Sequence, residues 1–291
     1  MVAFRKVRLL QSWVGTLDVV AEHGPIFVSL GILFAGILWV VLIILGWFYS
    51  WAILATGIIS FLSTCLVYRT VVYKPVAKNE HRLWSNWLAL IVVTLFITIT
   101  AVFVSQNVFV TRDPGVYSVT ARWLTNHSTS TAPTIDTGED QGATSVSLGF
   151  NKNPNNTKEL YAQGLDLLPI LMAVAGRIGG DVVQLTSVSV LAGAALWSVY
   201  GFARTIIKES YALLAMSALA VSMPMLYFSR DAYSEPLSML FLFSSLSLAA
   251  IALKNPRRQL VWLLAGLAAG ATCMTRVDGV LVLCGYATFF L

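Results

Sequence analysis

The chain has 291 residues, 57% of them hydrophobic and 11% charged, with a net charge of +5. A soluble domain is about a quarter charged, so this composition excludes a soluble globular protein and points to a polytopic membrane protein. The basic residues share neither a face nor a domain, which argues against nucleic-acid binding.

Taken in order, the first basic cluster is Arg5-Lys6-Arg8. No cleavable signal peptide is evident, because the apolar run that starts near Pro25 is too long for a signal core. A membrane span needs roughly 20 apolar residues. Stretches 25–46, 51–73, 87–108, 182–203, 211–228, 236–253, 260–275 and 280–291 are the candidates. Trp47, Tyr49, Trp51, Trp84 and Trp87 flank the early spans, where aromatic rings favour the interface. Stretch 165–178 is apolar but short and reads as an interfacial segment. Cys65, Cys273 and Cys284 lie in apolar runs without metal-ligand spacing and read as small hydrophobes. Gly266 and Gly270, four apart, predict close helix packing.

Charge fixes the sidedness. Other basic residues gather at 69–82, at Arg204 and Lys208, and at 254–258. Lys and Arg accumulate in cytoplasmic loops. With the N-terminus inside, all these clusters fall inside only if 165–178 does not cross. The expected organisation is a cytoplasmic segment at 1–24, three transmembrane helices at 25–110, an outer loop with interfacial helices at 111–181, and five further transmembrane helices at 182–291.

The outer loop begins with Thr111-Arg112-Asp113-Pro114-Gly115-Val116-Tyr117. Charges at a membrane edge are expensive and usually mark a site. Asp113 is placed to cap a helix that has Pro114 at its first position. Val116, Val119, Trp123 and Leu124 recur at helical spacing, which predicts an amphipathic helix on the outer leaflet with Trp123 as its anchor. From Asn126 to Lys158 the chain is rich in Ser, Thr, Asn, Gly and Pro and reads as loop. Asp136, Glu139 and Asp140 leave room for a divalent cation, without diagnostic spacing. The acceptor pattern at Asn126-His127-Ser128 and Asn155-Asn156-Thr157 is too weak to carry weight.

Two more connections fall on the outer side: Ser229-Arg230-Asp231-Ala232-Tyr233-Ser234-Glu235-Pro236 and Thr275-Arg276-Val277-Asp278-Gly279. Each sets an arginine beside carboxylates, as Arg112-Asp113 does. Arginine suits phosphate because its planar fork donates two hydrogen bonds together. Salt bridging within each loop is the plainer alternative and contributes little stability.

These three strings, in this order and on one side, resemble the front half of the GT-C superfamily of membrane glycosyltransferases. That superfamily includes protein mannosyltransferases and the aminoarabinose transferase of lipid A. Segment 167–180 is similar to the interfacial segment that follows the outer loop there. The resemblance implies an all-α transmembrane helix bundle with a large first outer loop carrying interfacial helices. It implies a polyprenyl-phosphate sugar donor, the lipid bilayer as setting, and a glycan, lipid or protein acceptor. Asp113 matches the general base, and Arg230 and Arg276 match donor phosphate contacts. Arg112, Tyr117, Asp231, Glu235 and Asp278 are supporting residues. Direct displacement of the phosphate by an acceptor that one base deprotonates implies inversion at the anomeric centre. The expected location is a bacterial plasma membrane, with the N-terminus cytoplasmic and the active site extracytoplasmic. Two departures stand out: two spans precede the one that leads into the catalytic loop, where many members have one, and the usual large outer C-terminal domain is not in these 291 residues, which are expected to be either the front part of a longer protein or a short chain whose soluble domain a second chain supplies. A non-catalytic membrane subunit and a transporter or flippase of lipid-linked substrates are the alternatives.

Overall fold

The computed structural model describes residues 24–72, 80–106, 112–133, 149–153, 156–254 and 257–290. The first two helices form a hairpin, α1 (Gly24–Ile44) and α2 (Ser50–Val67), the second continued by a π-helical turn, Tyr68–Val72. Helix α3 (Glu80–Val102) follows, then α4 (Asp113–Asn126). Helix α2 shows the distribution a lipid solvent selects. Trp51, Leu54, Phe61 and Leu62 face outward, whereas Ala52, Ser60 and Thr64 are buried. Small and hydroxylated residues let helix backbones approach where there is no water to drive apolar burial.

Helix α5 (Leu167–Ile206) holds 40 residues. A straight helix of that length would run about 60 Å, twice the hydrocarbon thickness of roughly 30 Å. It is broken at Gly179 (φ −142°, ψ 20°) and Gly180 (φ 71°, ψ −165°). The Gly180 conformation is open essentially only to glycine. Before the break, Ile170 and Ala173 pack with Leu42, Ile43 and Phe48. After it, Ala192 and Leu196 pack with Ala89, Val93 and Phe96 of α3.

Helices α6 (Glu209–Ala220) and α7 (Met223–Phe228) replace the single span expected at 211–228. The chain turns at Val221 and Ser222, and Pro224 in the first turn of α7 has no N–H to continue the ladder. Helices α8 (Glu235–Leu253), α9 (Gln259–Thr275) and α10 (Val280–Phe290) complete the chain, with a 3₁₀ turn at Val277–Gly279. Ser245 ties the three together: its hydroxyl donates to the Ala265 carbonyl at 2.7 Å and pairs with the Tyr286 hydroxyl at 2.6 Å. Packing of α9 on α8 does not use Gly266 and Gly270, whose Cα positions face open space. Ala265, Ala268, Ala269 and Ala271 are the buried residues instead.

Among the described residues five helices are long and apolar enough to cross a membrane: α1, α2 with its π turn, α3, α5 and α8. The protein is an all-α polytopic membrane protein. A small antiparallel sheet, which composition did not announce, interrupts the outer loop. Its order is β1-β3-β2, from strands β1 (Ala132–Pro133), β2 (Phe150–Asn153) and β3 (Asn156–Ala162). The acidic stretch Asp136, Glu139 and Asp140 lies outside the described residues.

The two ends of the bundle differ. At one, Tyr200 pairs with Ser85 and Asn86, and Arg204 donates to the Asn86 amide oxygen at 2.7 Å. The other end gathers the α1–α2 turn, α4, the α5 break and the connections that carry Arg230 and Arg276. There Arg177 Nη2 donates to three carbonyls, those of Phe48 (3.0 Å), Leu124 (2.8 Å) and His127 (3.0 Å).

Candidate active site

Helix α4 starts one residue earlier than the sequence suggested. Arg112 is the N-cap, in extended backbone, and its carbonyl accepts from the Gly115 and Val116 N–H groups at 3.1 and 3.2 Å. Asp113 is therefore the first helical residue, Pro114 the second, and no side chain caps the helix. The Asp113 carboxylate is exposed at a helix N-terminus, where the helix dipole favours negative charge. The rest of α4 is more deeply seated than an interfacial anchor. Val116, Tyr117, Ala121 and Leu124 are buried. Trp123 is half-buried and stacks on His127 with ring centroids 3.4 Å apart, while its indole N–H donates to the Thr129 carbonyl.

The second element is the turn after α9. Arg276 leaves the helix in extended backbone, its N–H still bonded to the Thr272 carbonyl at 3.0 Å, and the 3₁₀ turn closes when Gly279 N–H reaches the Arg276 carbonyl at 3.1 Å. Gly279 lies so close to the end of α9 that a Cβ there would sit 2.5 Å from the Thr272 carbonyl carbon and oxygen. Only glycine lets this turn fold back and aim Arg276 and Asp278 together. Asp278 then accepts from Arg276 Nε at 2.8 Å and from Nη2 at 3.0 Å. Arg276 Nη1 also pairs with Glu235, in the first turn of α8.

These elements meet in a cavity of about 660 Å³, lined among others by Arg112, Asp113, Tyr117, Ser234, Arg276 and Asp278. That volume suits a small-molecule or lipid-headgroup site. Tyr117, itself buried, is part of its wall. Burial raises its phenol pKa, the nearby Asp113 and Glu235 charges add to the rise, and a hydrogen bond with Ser234 and the Arg276 charge oppose it. Tyr117 thus stays a neutral donor. The Asp278 carboxyl is held below its ordinary range, mainly by the Arg276 hydrogen bond, and Arg276 is held firmly protonated by the same bond.

Arg230 and Asp231 do not line the cavity. Arg230 Nε donates to the Phe103 carbonyl at 2.7 Å, and Asp231 accepts from the Ala232 N–H at 2.9 Å. Ser234, Gln163 and Gly164 do line it. Gln163 follows the sheet, and its N–H closes onto the Gly149 carbonyl at 2.8 Å, so the strands return the chain to the cavity rim. Ser234 lies within the outer connection that the sequence singled out, whereas no motif marked Gln163 or Gly164. Among the described residues no group of three or more His, Cys, Asp or Glu is placed to hold a metal ion.

A polytopic helical bundle with a cavity at one end lined by arginines and carboxylates is the class of membrane protein that the fold and the site define. Residues 167–291 match the model of the dolichyl-phosphate-mannose-protein mannosyltransferase family, which belongs to the GT-C superfamily, and the match supports a glycosyltransferase of the GT-C type in general. The matched residues include Glu235, Arg276 and Asp278 but not Arg112, Asp113 or Tyr117. No curated protein and no solved structure is detectably similar to the chain.

Proposed function

We propose that the chain transfers a sugar from a polyprenyl-phosphate donor to an acceptor hydroxyl on the extracytoplasmic face, with Asp113 as general base. One observation carries this reading: Asp113, Tyr117, Ser234, Arg276 and Asp278, drawn from three distant segments, line a single cavity. The basic loops at the opposite end of the bundle support this sidedness, since Lys and Arg accumulate in cytoplasmic loops.

The chemistry suits these groups. The acceptor oxygen attacks the anomeric carbon and loses its proton to Asp113. The bond from that carbon to the phosphate oxygen breaks, and its electron pair leaves with the phosphate. Direct displacement inverts the anomeric centre. The leaving group is already an anion, so it needs a cation more than a strong acid. Arg276 supplies that charge, with Arg112 beside it. Glu235 and Asp278 orient Arg276, and Tyr117 is a neutral donor for an oxygen in the cavity. Arg230 serves the end of α3 in place of the phosphate. The acceptor, whether glycan, lipid or protein, and any second chain that presents it are left to the transfer assay.

Asp113→Asn tests the proposal. General-base catalysis contributes about 10²–10⁴-fold, so kcat for transfer from a polyprenyl-phosphate sugar falls at least about 100-fold while the bundle stays folded. Turnover like wild type in a folded variant removes Asp113 from the mechanism.

The break between α6 and α7 is a trait shared with transporters, whose discontinuous helices bind substrate at mid-membrane. Here Val221 and Ser222 at the break bring no charge to it. The transport reading lacks a charged mid-membrane site to support it.

A further inference from the structure

Arg276, read above as the phosphate contact, is already occupied. The site sets two guanidinium groups, Arg112 and Arg276, against three carboxylates, Asp113, Asp278 and the Glu235 that pairs with Arg276. That balance is negative. A donor phosphate approaching it is repelled unless one carboxylate moves aside.

The two carboxylates on Arg276 are unequal. Glu235 is fixed in the first turn of a 19-residue helix, its side chain is 31% exposed, and its Oε2 atom is buried. Asp278 stands on a three-residue turn, with its side chain 56% exposed. Glu235 holds one nitrogen, Nη1. Asp278 holds the Nε and Nη2 edge through two parallel bonds of 2.8 and 3.0 Å. That paired edge is the part of a guanidinium that grips phosphate. The clasp is open to water, which competes for both partners and screens their attraction, so it can exchange.

We propose that Asp278 is a tethered stand-in for phosphate. It yields the Nε and Nη2 edge of Arg276 when the donor binds, and it takes that edge back when the lipid phosphate must leave. Glu235 keeps hold of Nη1 throughout, so the guanidinium stays aimed. Charge gives the exchange a purpose. The donor's phosphodiester carries one negative charge, whereas the lipid phosphate monoester released by transfer carries between one and two near neutral pH. The product therefore binds Arg276 more tightly than the donor does. A carboxylate two residues away competes at the high local concentration that a short tether confers and speeds release. The inference rests on Arg276 as the phosphate contact.

The experiment measures binding of a short-chain polyprenyl phosphate to the detergent-solubilised full chain, together with steady-state KM and kcat for transfer. Wild type is compared with Asp278→Asn, Asp278→Ser and Arg276→Ala. Removing the competitor makes either Asp278 variant bind the lipid phosphate about tenfold more tightly, the scale of one charge-assisted bond. Donor KM falls and kcat falls with it, because release slows. Binding that is unchanged or weaker in a folded Asp278 variant overturns the stand-in and leaves Asp278 as a staple of the turn. Arg276→Ala separates the two levels. If it binds lipid phosphate as wild type does, the reading of Arg276 as phosphate contact fails. If it loses binding while the Asp278 variants gain none, only the stand-in fails.

Discussion

Arg230 donates from Nε to the Phe103 carbonyl at 2.7 Å and lies over the Phe103 ring, 5.6 Å from its centroid. The backbone repeats the link, since Ser105 N–H donates to the Arg230 carbonyl at 2.6 Å. This arginine closes the end of α3 and does not line the cavity that holds Arg276.

The contrast separates two arginines that look alike in sequence. Arg276→Ala is expected to weaken polyprenyl-phosphate binding by one to two orders of magnitude, since hydrogen bonds to charged groups contribute about 1.5–3 kcal/mol. Arg230→Ala is expected to lower the unfolding temperature and leave that affinity within about threefold of wild type. Parallel binding and thermal-unfolding measurements decide it. Equal losses of affinity would return Arg230 to the phosphate site.

A second expectation concerns Arg177. Its Nη2 donates to three carbonyls from two other segments, its Nη1 donates to the Ser50 hydroxyl, and its guanidinium lies over Phe48. Removing it leaves those carbonyls without their donor in a partly buried place. Arg177→Ala should cost about 3 kcal/mol or more, with Arg177→Lys recovering only part, because an ammonium lacks the planar fork. Detergent-phase unfolding curves measure both. A loss under about 1 kcal/mol for the alanine variant would show that the clamp contributes little.

Gly279→Ala forces a methyl group into the backbone of Thr272 and Cys273, 2.5 to 2.7 Å away. Overpacking of this kind costs about 1–3 kcal/mol. The larger effect is expected on activity, because displacing a catalytic group by about 1 Å can cost about 100-fold. Transfer should fall further than stability. A variant that unfolds earlier yet turns over normally would uncouple the turn from the site.

The Arg276 hydrogen bond holds Asp278 below the ordinary carboxylate range. A depressed pKa in the folded state adds stability that is fully present above the unfolded value of about 3.9 and lost as pH falls through the folded value. The stability difference between wild type and Asp278→Asn should therefore be flat from about pH 7 to pH 5 and shrink only below about pH 4. Unfolding temperatures across that range test it. A difference that already declines between pH 7 and pH 5 would contradict the pairing.

Sequence carried the bundle and the neighbourhood of the site further than it carried the contacts. Apolar runs announced α1, α2, α3 and α8 because a span must be long and continuously apolar. The same rule misread 211–228, where Pro224 and the Val221–Ser222 turn break an otherwise apolar run. Arg112, Asp113 and Arg276 were visible as rare charges at membrane edges. Gln163 and Gly164 were not, because their place in the cavity depends on how separate segments meet. Arg230 and Arg276 share the same local pattern of arginine beside carboxylate. What separates them is a backbone carbonyl at Phe103, and no side-chain pattern records a carbonyl. The partners of Arg177 are mostly carbonyls as well.

The Arg177 clamp also sets an order on assembly. The carbonyls of Phe48, Leu124 and His127 wait for a donor that is translated 50 residues after the last of them. Until residue 177 has emerged and the first half of α5 has settled against the α1–α2 hairpin, the end of α4 has no donor to dock on. The helix that begins with Asp113 is thus made early and seated late. A nascent chain with only its first three spans inserted holds no formed cavity, so the site becomes competent only once the helices that supply its arginine are in the membrane.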